Sequence, residues 1–111
     1  MELNLAVAAL GALAHDTRLR AFRLLVRAGE GGLSVGRLAE GLGVAADGRL
    51  SFHLKELVAS GLVVARQEGR FIYYATRYDA MNALLRFLTE DCCGGAGCGE
   101  VVDACPPEKN R

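Results

Sequence analysis

The 111-residue chain carries no net charge, has only two histidines, His15 and His53, and holds no cysteine before Cys92. It also contains no run of about 18 apolar residues, which excludes a membrane span. The apolar start, Met1-Glu2-Leu3-Asn4-Leu5 through Ala14, ends in Ala12-Leu13-Ala14 as a signal peptide does. It lacks the Lys/Arg n-region and has Glu2 there instead, so a cytoplasmic protein is expected. No Cys-x-x-Cys stands beside a βαβ pattern, and no base or phosphate cradle accompanies Cys98 or Cys105. That argues against a thiol-based enzyme, and no catalytic residue is assigned. There is no internal repeat. Zero net charge gives no overall pull toward nucleic acid, but it hides an asymmetry. Residues 1–88 hold 11 Arg/Lys against 8 Asp/Glu, whereas residues 89–111 hold 2 against 5. Phosphate affinity follows local cationic patches rather than the total, so DNA binding stays open.

Half of the residues are hydrophobic and 23% are charged, the composition of one globular domain. Leu3, Ala6, Val7, Leu10 and Leu13 recur at helical spacing and predict an N-terminal helix ending near Ala14. Asp16 is the expected N-cap of a second helix with a buried stripe of Leu19, Phe22, Leu25 and Val26 and with Arg18, Arg20, Arg23 and Arg27 elsewhere on its surface, stopped by Gly29-Glu30-Gly31-Gly32. Ser34 can cap a short third helix carrying Val35, Leu38 and Ala39 and ending around Gly41-Leu42-Gly43. A fourth is expected from about Arg49 to Ser60, with Gly61 as its C-cap. Two extended runs follow, Leu62–Gln67 and Arg70–Thr76, separated by Glu68-Gly69 in a tight hairpin turn. A last helix places Tyr78, Met81, Leu84, Leu85 and Leu88 on one side, and the periodicity stops beyond Thr89.

Short helix, turn, second helix and β-hairpin is the order of a winged helix-turn-helix, a mainly α fold with a small hairpin. Within the fourth helix, Leu50, Leu54, Leu57 and Val58 gather on one face at about 3.6 residues per turn, and Phe52 and Lys55 point away. On the helix-turn-helix model Arg49, Ser51, Phe52 and Lys55 face DNA. Ser51 can hydrogen-bond a base or phosphate, and Phe52 can pack on a thymine methyl. Lys55 and Arg49 can neutralise phosphates or contact guanine, and the wing tip adds Gln67 and Arg70. The competing reading is an amphipathic helix with a solvated polar face, in a winged helix that binds protein rather than DNA. His53, at the edge of the apolar face, reads as a structural histidine.

The segments Leu42-Gly43-Val44-Ala45, Leu50-Ser51-Phe52-His53-Leu54-Lys55-Glu56-Leu57, Ser60-Gly61-Leu62-Val63 and Glu68-Gly69-Arg70 resemble the ArsR/SmtB family of bacterial repressors. Leu13-Ala14-His15-Asp16-Thr17-Arg18-Leu19 is similar to that family's second-helix opening. The resemblance covers roughly residues 5–90. It implies a homodimer, its first and last helices paired across the two-fold axis, that leaves operator DNA when a metal, metalloid or other signal binds. One departure stands out: Ala45-Ala46-Asp47-Gly48-Arg49 is one residue longer than the family's usual turn and leaves Arg49 between turn and helix.

Beyond a domain spanning residues 1–91, the tail 92–111 holds every cysteine: Cys92, Cys93, Cys98 and Cys105. Gly94, Gly95, Gly97 and Gly99 let the chain fold sharply around one centre, and soft thiolates favour soft ions. The family's Cys-x-Cys pair of the third helix is absent, since Leu33-Ser34-Val35-Gly36-Arg37 occupies that region. Its Asp/His zinc site is missing too, because His15 and His53 are the only histidines. Trivalent arsenic forms a three-coordinate pyramid with thiolates, for which Cys92, Cys93 and Cys98 suffice. Zinc wants four ligands, commonly as Cys-x2-4-Cys pairs, which adjacent Cys92-Cys93 suits poorly. One branch of the family is similar in carrying Cys-Cys and a third cysteine after the last helix as its arsenite or antimonite site. The expected inducer is thus As(III) or Sb(III). Zinc, cadmium, lead, an organoarsenical held by two cysteines, a thiol-oxidation switch and a tail of incidental thiols remain alternatives.

Overall fold

The computed structural model describes residues 1–95. In chain order the elements are α1 (Leu3–Leu13), α2 (Asp16–Ala28), β1 (Leu33–Ser34), α3 (Val35–Leu42), α4 (Gly48–Ala59), β2 (Val63–Glu68), β3 (Phe71–Thr76), α5 (Tyr78–Thr89) and a short 3-10 turn, η1 (Cys92–Gly95). This is the winged helix-turn-helix order expected, with one addition. The wing is a three-stranded antiparallel sheet ordered β1-β3-β2, in which Leu33 pairs with Tyr74 and Ser34 with Tyr73. A two-residue strand carries too little periodicity to be read from the chain alone. The hairpin turn also shifts by one residue. Glu68 pairs with Phe71, so Gly69 and Arg70 form the loop, with Gly69 at φ +64°.

Local capping explains most helix boundaries. Ser34 caps α3 through Oγ, which accepts from the Arg37 amide at 3.3 Å, and Gly43 ends that helix in the left-handed region. At α2 the cap is His15 rather than Asp16: its Nδ1 accepts from the Thr17 amide at 3.2 Å, and Asp16 becomes the first helical residue. At α4 the helix ends on Ala59 with Ser60 as C-cap, and Gly61 follows at φ +88°.

The core gathers Phe22 and Leu25 from α2, Leu38 and Leu42 from α3, Leu50, Leu54 and Leu57 from α4, and Tyr78, Met81 and Leu84 from α5. The Tyr78 hydroxyl donates to the Val26 carbonyl at 2.8 Å and so ties the start of α5 to the end of α2. The first helix packs by its small residues. It seats on the body through Ala6, Ala9 and Ala12, while Leu3 (65% exposed), Val7 (60%) and Leu10 stay outside. Spacing of three residues makes the alanines a contiguous face, and their small side chains allow close approach. Leu19 and Leu88 are exposed as well, whereas Met81 and Leu84 are covered within the single chain. Among the described residues no helix is long and apolar enough to cross a membrane.

Gly32 holds the corner between α2 and the sheet at φ +73°, where an added Cβ would run into the Tyr74 carbonyl oxygen. Both the dihedral and the collision are with backbone, so neither relaxes through a rotamer. Gly32→Ala is expected to lower stability by about 2 kcal/mol or more, read as a fall in the urea midpoint of unfolding.

Candidate nucleic-acid interface

The turn between α3 and α4 sets where α4, the helix expected to read DNA, starts. Asp47 is its N-cap, and one carboxylate oxygen accepts from the amides of Arg49 at 3.0 Å and Leu50 at 3.4 Å. The residue longer turn therefore ends at Asp47, and Arg49 lies inside the first turn of α4 rather than in the loop. Arg20 steadies the other side of the unit, donating from Nη2 to the Leu42 carbonyl at 2.9 Å. Leu54 and Leu57 have no exposed surface and Leu50 almost none. Burial of that stripe leaves Phe52, Lys55 and Ala59 on the opposite face, and Phe52 is 54% exposed.

Two sequence-predicted contacts sit less squarely. Ser51 is half-buried on one flank of α4, and Arg49 is exposed near the other. The wing places Arg70 in its turn, exposed, while the Gln67 amide donates to the Gly69 carbonyl at 3.3 Å and braces that turn. Phe71 and Ile72, expected only as strand residues, are exposed at the same end of the hairpin. Arg66 is used for structure: Nε donates to Glu68 at 2.6 Å, Nη2 donates to the Gly31 carbonyl at 3.0 Å, and the guanidinium lies 5.9 Å from the Tyr73 ring centre.

Where α2 begins, His15 and Arg18 meet His53 and Phe52 of α4. Arg18 donates from Nε to Nδ1 of His53 at 3.1 Å and stands 5.9 Å from the centre of the Phe52 ring. The His15 and His53 rings lie 4.4 Å apart. Partial burial, then His15 and Arg18, hold the His53 pKa below its usual value, and Glu56 opposes them. The sequence places Arg18 on the surface of α2, but helical geometry turns it toward α4 on the same side as Ala21, Phe22 and Leu25. The structural reading of His53 has its partner there.

After α5, η1 brings the sulfurs of Cys92 and Cys93 within 3.9 Å of each other, with Cys93 at φ +54°. Two thiolates about 2.3 Å from a shared ion span roughly 3.3 to 3.8 Å, so the pair fits one soft ion after a small adjustment. Cys98 and Cys105 lie outside the described residues, as does most of the tail 92–111. Among the described residues no group of three His, Cys, Asp or Glu is placed to hold a metal.

With that geometry in view, residues 13–66 match the family model described as a helix-turn-helix domain. No curated protein matches the chain. Among solved structures, the chain is similar to one described as a possible transcriptional regulator for arsenical resistance, at 34% identity over 75% of this chain and 81% of that one, TM-score 0.62. It is similar to the transcriptional repressor BigR from Xylella fastidiosa at 31% identity over 80% and 88%, TM-score 0.60. A homodimeric winged helix-turn-helix domain from Mycobacterium bovis, described as a possible ArsR-family regulator, matches at 27% identity over 88% and 90%, TM-score 0.64.

The Asp47 cap gives a direct check on how the interface starts. Asp47→Ala removes both capping bonds and is expected to cost about 1 kcal/mol, while Asp47→Asn, which also caps, loses only a fraction of that. Thermal midpoints of the two variants measure the difference.

Proposed function

This chain belongs to the ArsR family of winged helix-turn-helix transcriptional regulators, and on that premise we propose that it is a homodimeric repressor released from operator DNA by trivalent arsenic or antimony. Its relatives are regulators rather than enzymes, and DNA binding follows from the family. The observation that carries the inducer reading is the Cys92–Cys93 sulfur pair placed directly after α5. Cys98 is the third thiolate of the proposed site. The related chain described by arsenical resistance supports the same choice.

Dimerisation is supported by the homodimeric neighbour and by the apolar surface that one chain leaves uncovered. Leu3, Val7 and Leu10 of α1 and Leu88 of α5 are exposed. An open groove of about 370 Å³ runs between α1, α2 and α5, lined by the exposed or half-buried Leu13, Leu19 and Leu85 together with the already covered Phe22, Met81 and Leu84. A second copy would cover this surface by placing its own terminal helices there. Two reading helices would then face DNA together, with Phe52 and Lys55 central, Arg49 and Ser51 at the flanks, and Gln67 and Arg70 on the wing.

Release requires only a modest coupling: about 1 to 3 kcal/mol between the thiolate site and DNA changes affinity some 5- to 150-fold. The tail leaves α5, α5 is hydrogen-bonded to α2 through Tyr78, and α2 holds α4 through Arg18 and His53. Spatial continuity of this kind offers a path for that coupling. The clustered cysteines also admit a second reading, in which oxidation of the thiols, with no metalloid, is the signal.

Gel-shift titration of fully reduced protein with arsenite separates the two. Arsenite is expected to release wild type, and the triple Cys92/Cys93/Cys98→Ser variant to stay bound. A variant that dissociates as readily as wild type puts the sensor elsewhere. Release on oxidation alone, with no arsenite response in reduced protein, selects the redox reading. For the DNA side, Lys55→Ala is expected to reduce the slope of log affinity against log salt by about one per bound subunit. Phe52→Ala should leave that slope unchanged and narrow the gap between operator and unrelated duplex.

A further inference from the structure

The cluster at the start of α2 has no assigned role in reading DNA, yet every member either touches the reading helix or belongs to it. We propose that Arg18 and His53 are positioning residues that latch α4 to α2, so that Phe52 is held in its DNA-facing pose only while the His53 ring is neutral. This inference rests on the DNA-binding reading above.

The hydrogen bond fixes the protonation state. Arg18 Nε is a donor with no acceptor capacity, so His53 Nδ1, 3.1 Å away, must present its lone pair, and the ring's one proton sits on Nε2. The same guanidinium stands over Phe52, 5.9 Å from its centroid, where a cation is attracted to the ring face. Phe52 also lies beside the His53 ring, with centroids 5.8 Å apart. One arginine on α2 therefore grips two consecutive side chains of α4, one half-buried and one exposed. His15 closes the arrangement. Its Nδ1 caps α2 through the Thr17 amide, and its ring rests on that of His53 at 4.4 Å.

A proton on Nδ1 destroys this latch from inside. Two donors would face each other across the Arg18 contact, and the imidazolium would meet the Arg18 cation and the His15 ring. Glu56 on α4 works the other way and favours the proton, and Asp47 and Arg49 line the same cleft as His53. The balance lies with neutrality, because His53 is held below its ordinary pKa of 6.5 by burial, His15 and Arg18. The sign follows from linkage. Below pH 6.5 the unfolded chain binds this proton before the folded one does. The latch's contribution is therefore complete above 6.5 and is lost as pH falls through the lowered folded value.

Three full-length variants test the proposal. His53→Gln keeps an acceptor for Arg18 and does not titrate. His53→Phe keeps a ring against His15 and Phe52 but accepts nothing. Arg18→Met keeps the stem and loses the donor. The probe is a labelled duplex selected from a randomised pool by the wild-type protein. At pH 7.5 the Gln variant is expected to bind as wild type does. The Phe and Met variants should bind on the order of fivefold more weakly, the scale of one lost hydrogen bond. Thermal midpoints of each variant establish that it is folded. Acidification from about pH 7.5 down through the lowered folded pKa should cost wild type affinity relative to His53→Gln. Taking the ratio removes the general gain that protonating other groups near phosphate produces. Nitrogen-15 NMR of the imidazole in DNA-free protein should find Nδ1 bare at neutral pH.

Wild-type affinity in His53→Phe, a pH profile shared by wild type and His53→Gln, or a proton on Nδ1 would each overturn the latch alone. If wild type selects no duplex, the DNA-binding reading falls, and the proposal falls with it.

Discussion

The orientation of α4 depends on one constraint, the complete burial of Leu54 and Leu57 with Leu50 beside them. A helix is a rigid rod whose side-chain directions are set by its rotation about its own axis, so fixing one apolar stripe fixes every other direction at once. Phe52 and Lys55 face outward because the leucines face inward. Removing apolar side chains of this size from water is worth about 1.5 to 3 kcal/mol each. That is large enough to hold the rotation against an exposed phenylalanine, whose own burial would need the helix to turn. The Asp47 cap adds the axial limit, and together they decide which residues occupy the first turn.

The first helix applies the same physics to the opposite effect. Its closest contact with the body uses Ala6, Ala9 and Ala12, which bury little apolar area each but bring the two backbones together. The larger residues Leu3, Val7 and Leu10 are thereby turned outward, and the area that would stabilise a monomer is left exposed. Apolar surface of this kind costs free energy in water and marks an interaction face. The proposed dimer is the arrangement in which that cost is removed. It also gives α5, which touches α1 and leads into Cys92, a place next to the two-fold axis.

The molecule thus has a continuous hydrogen-bonded connection from α5 to α4. Tyr78 bonds α5 to α2, Arg18 bonds α2 to α4, and Arg20 bonds α2 to the end of α3. Helix α2 is the common member. A signal that displaced α5 would meet α2 first, and α2 carries the only described side chain that bridges directly to both His53 and Phe52.

Much of this was legible in the chain. Apolar periodicity located all five helices and both long wing strands, since those patterns reflect which residues must leave water. Ser34, Gly43 and Gly61 marked ends through local capping and positive φ, which need no distant partner. The outward set Phe52 and Lys55 followed from the leucine spacing alone. What the chain could not decide by itself was every choice between equivalent local options. Either His15 or Asp16 was chemically able to cap α2, and His15 does so where its ring also rests on His53 from another helix. Either the leucines or the alanines of α1 offered a helical stripe, and the close approach of the body selected the alanines. The two-residue β1 exists only because β3 offers it an edge. Arg18 read as one more surface cation until the fold placed an imidazole 3.1 Å from it. Sequence determines short-range geometry because its causes are local sterics and hydration. Partnership between side chains 35 residues apart is decided by packing, and only the tertiary structure contains that.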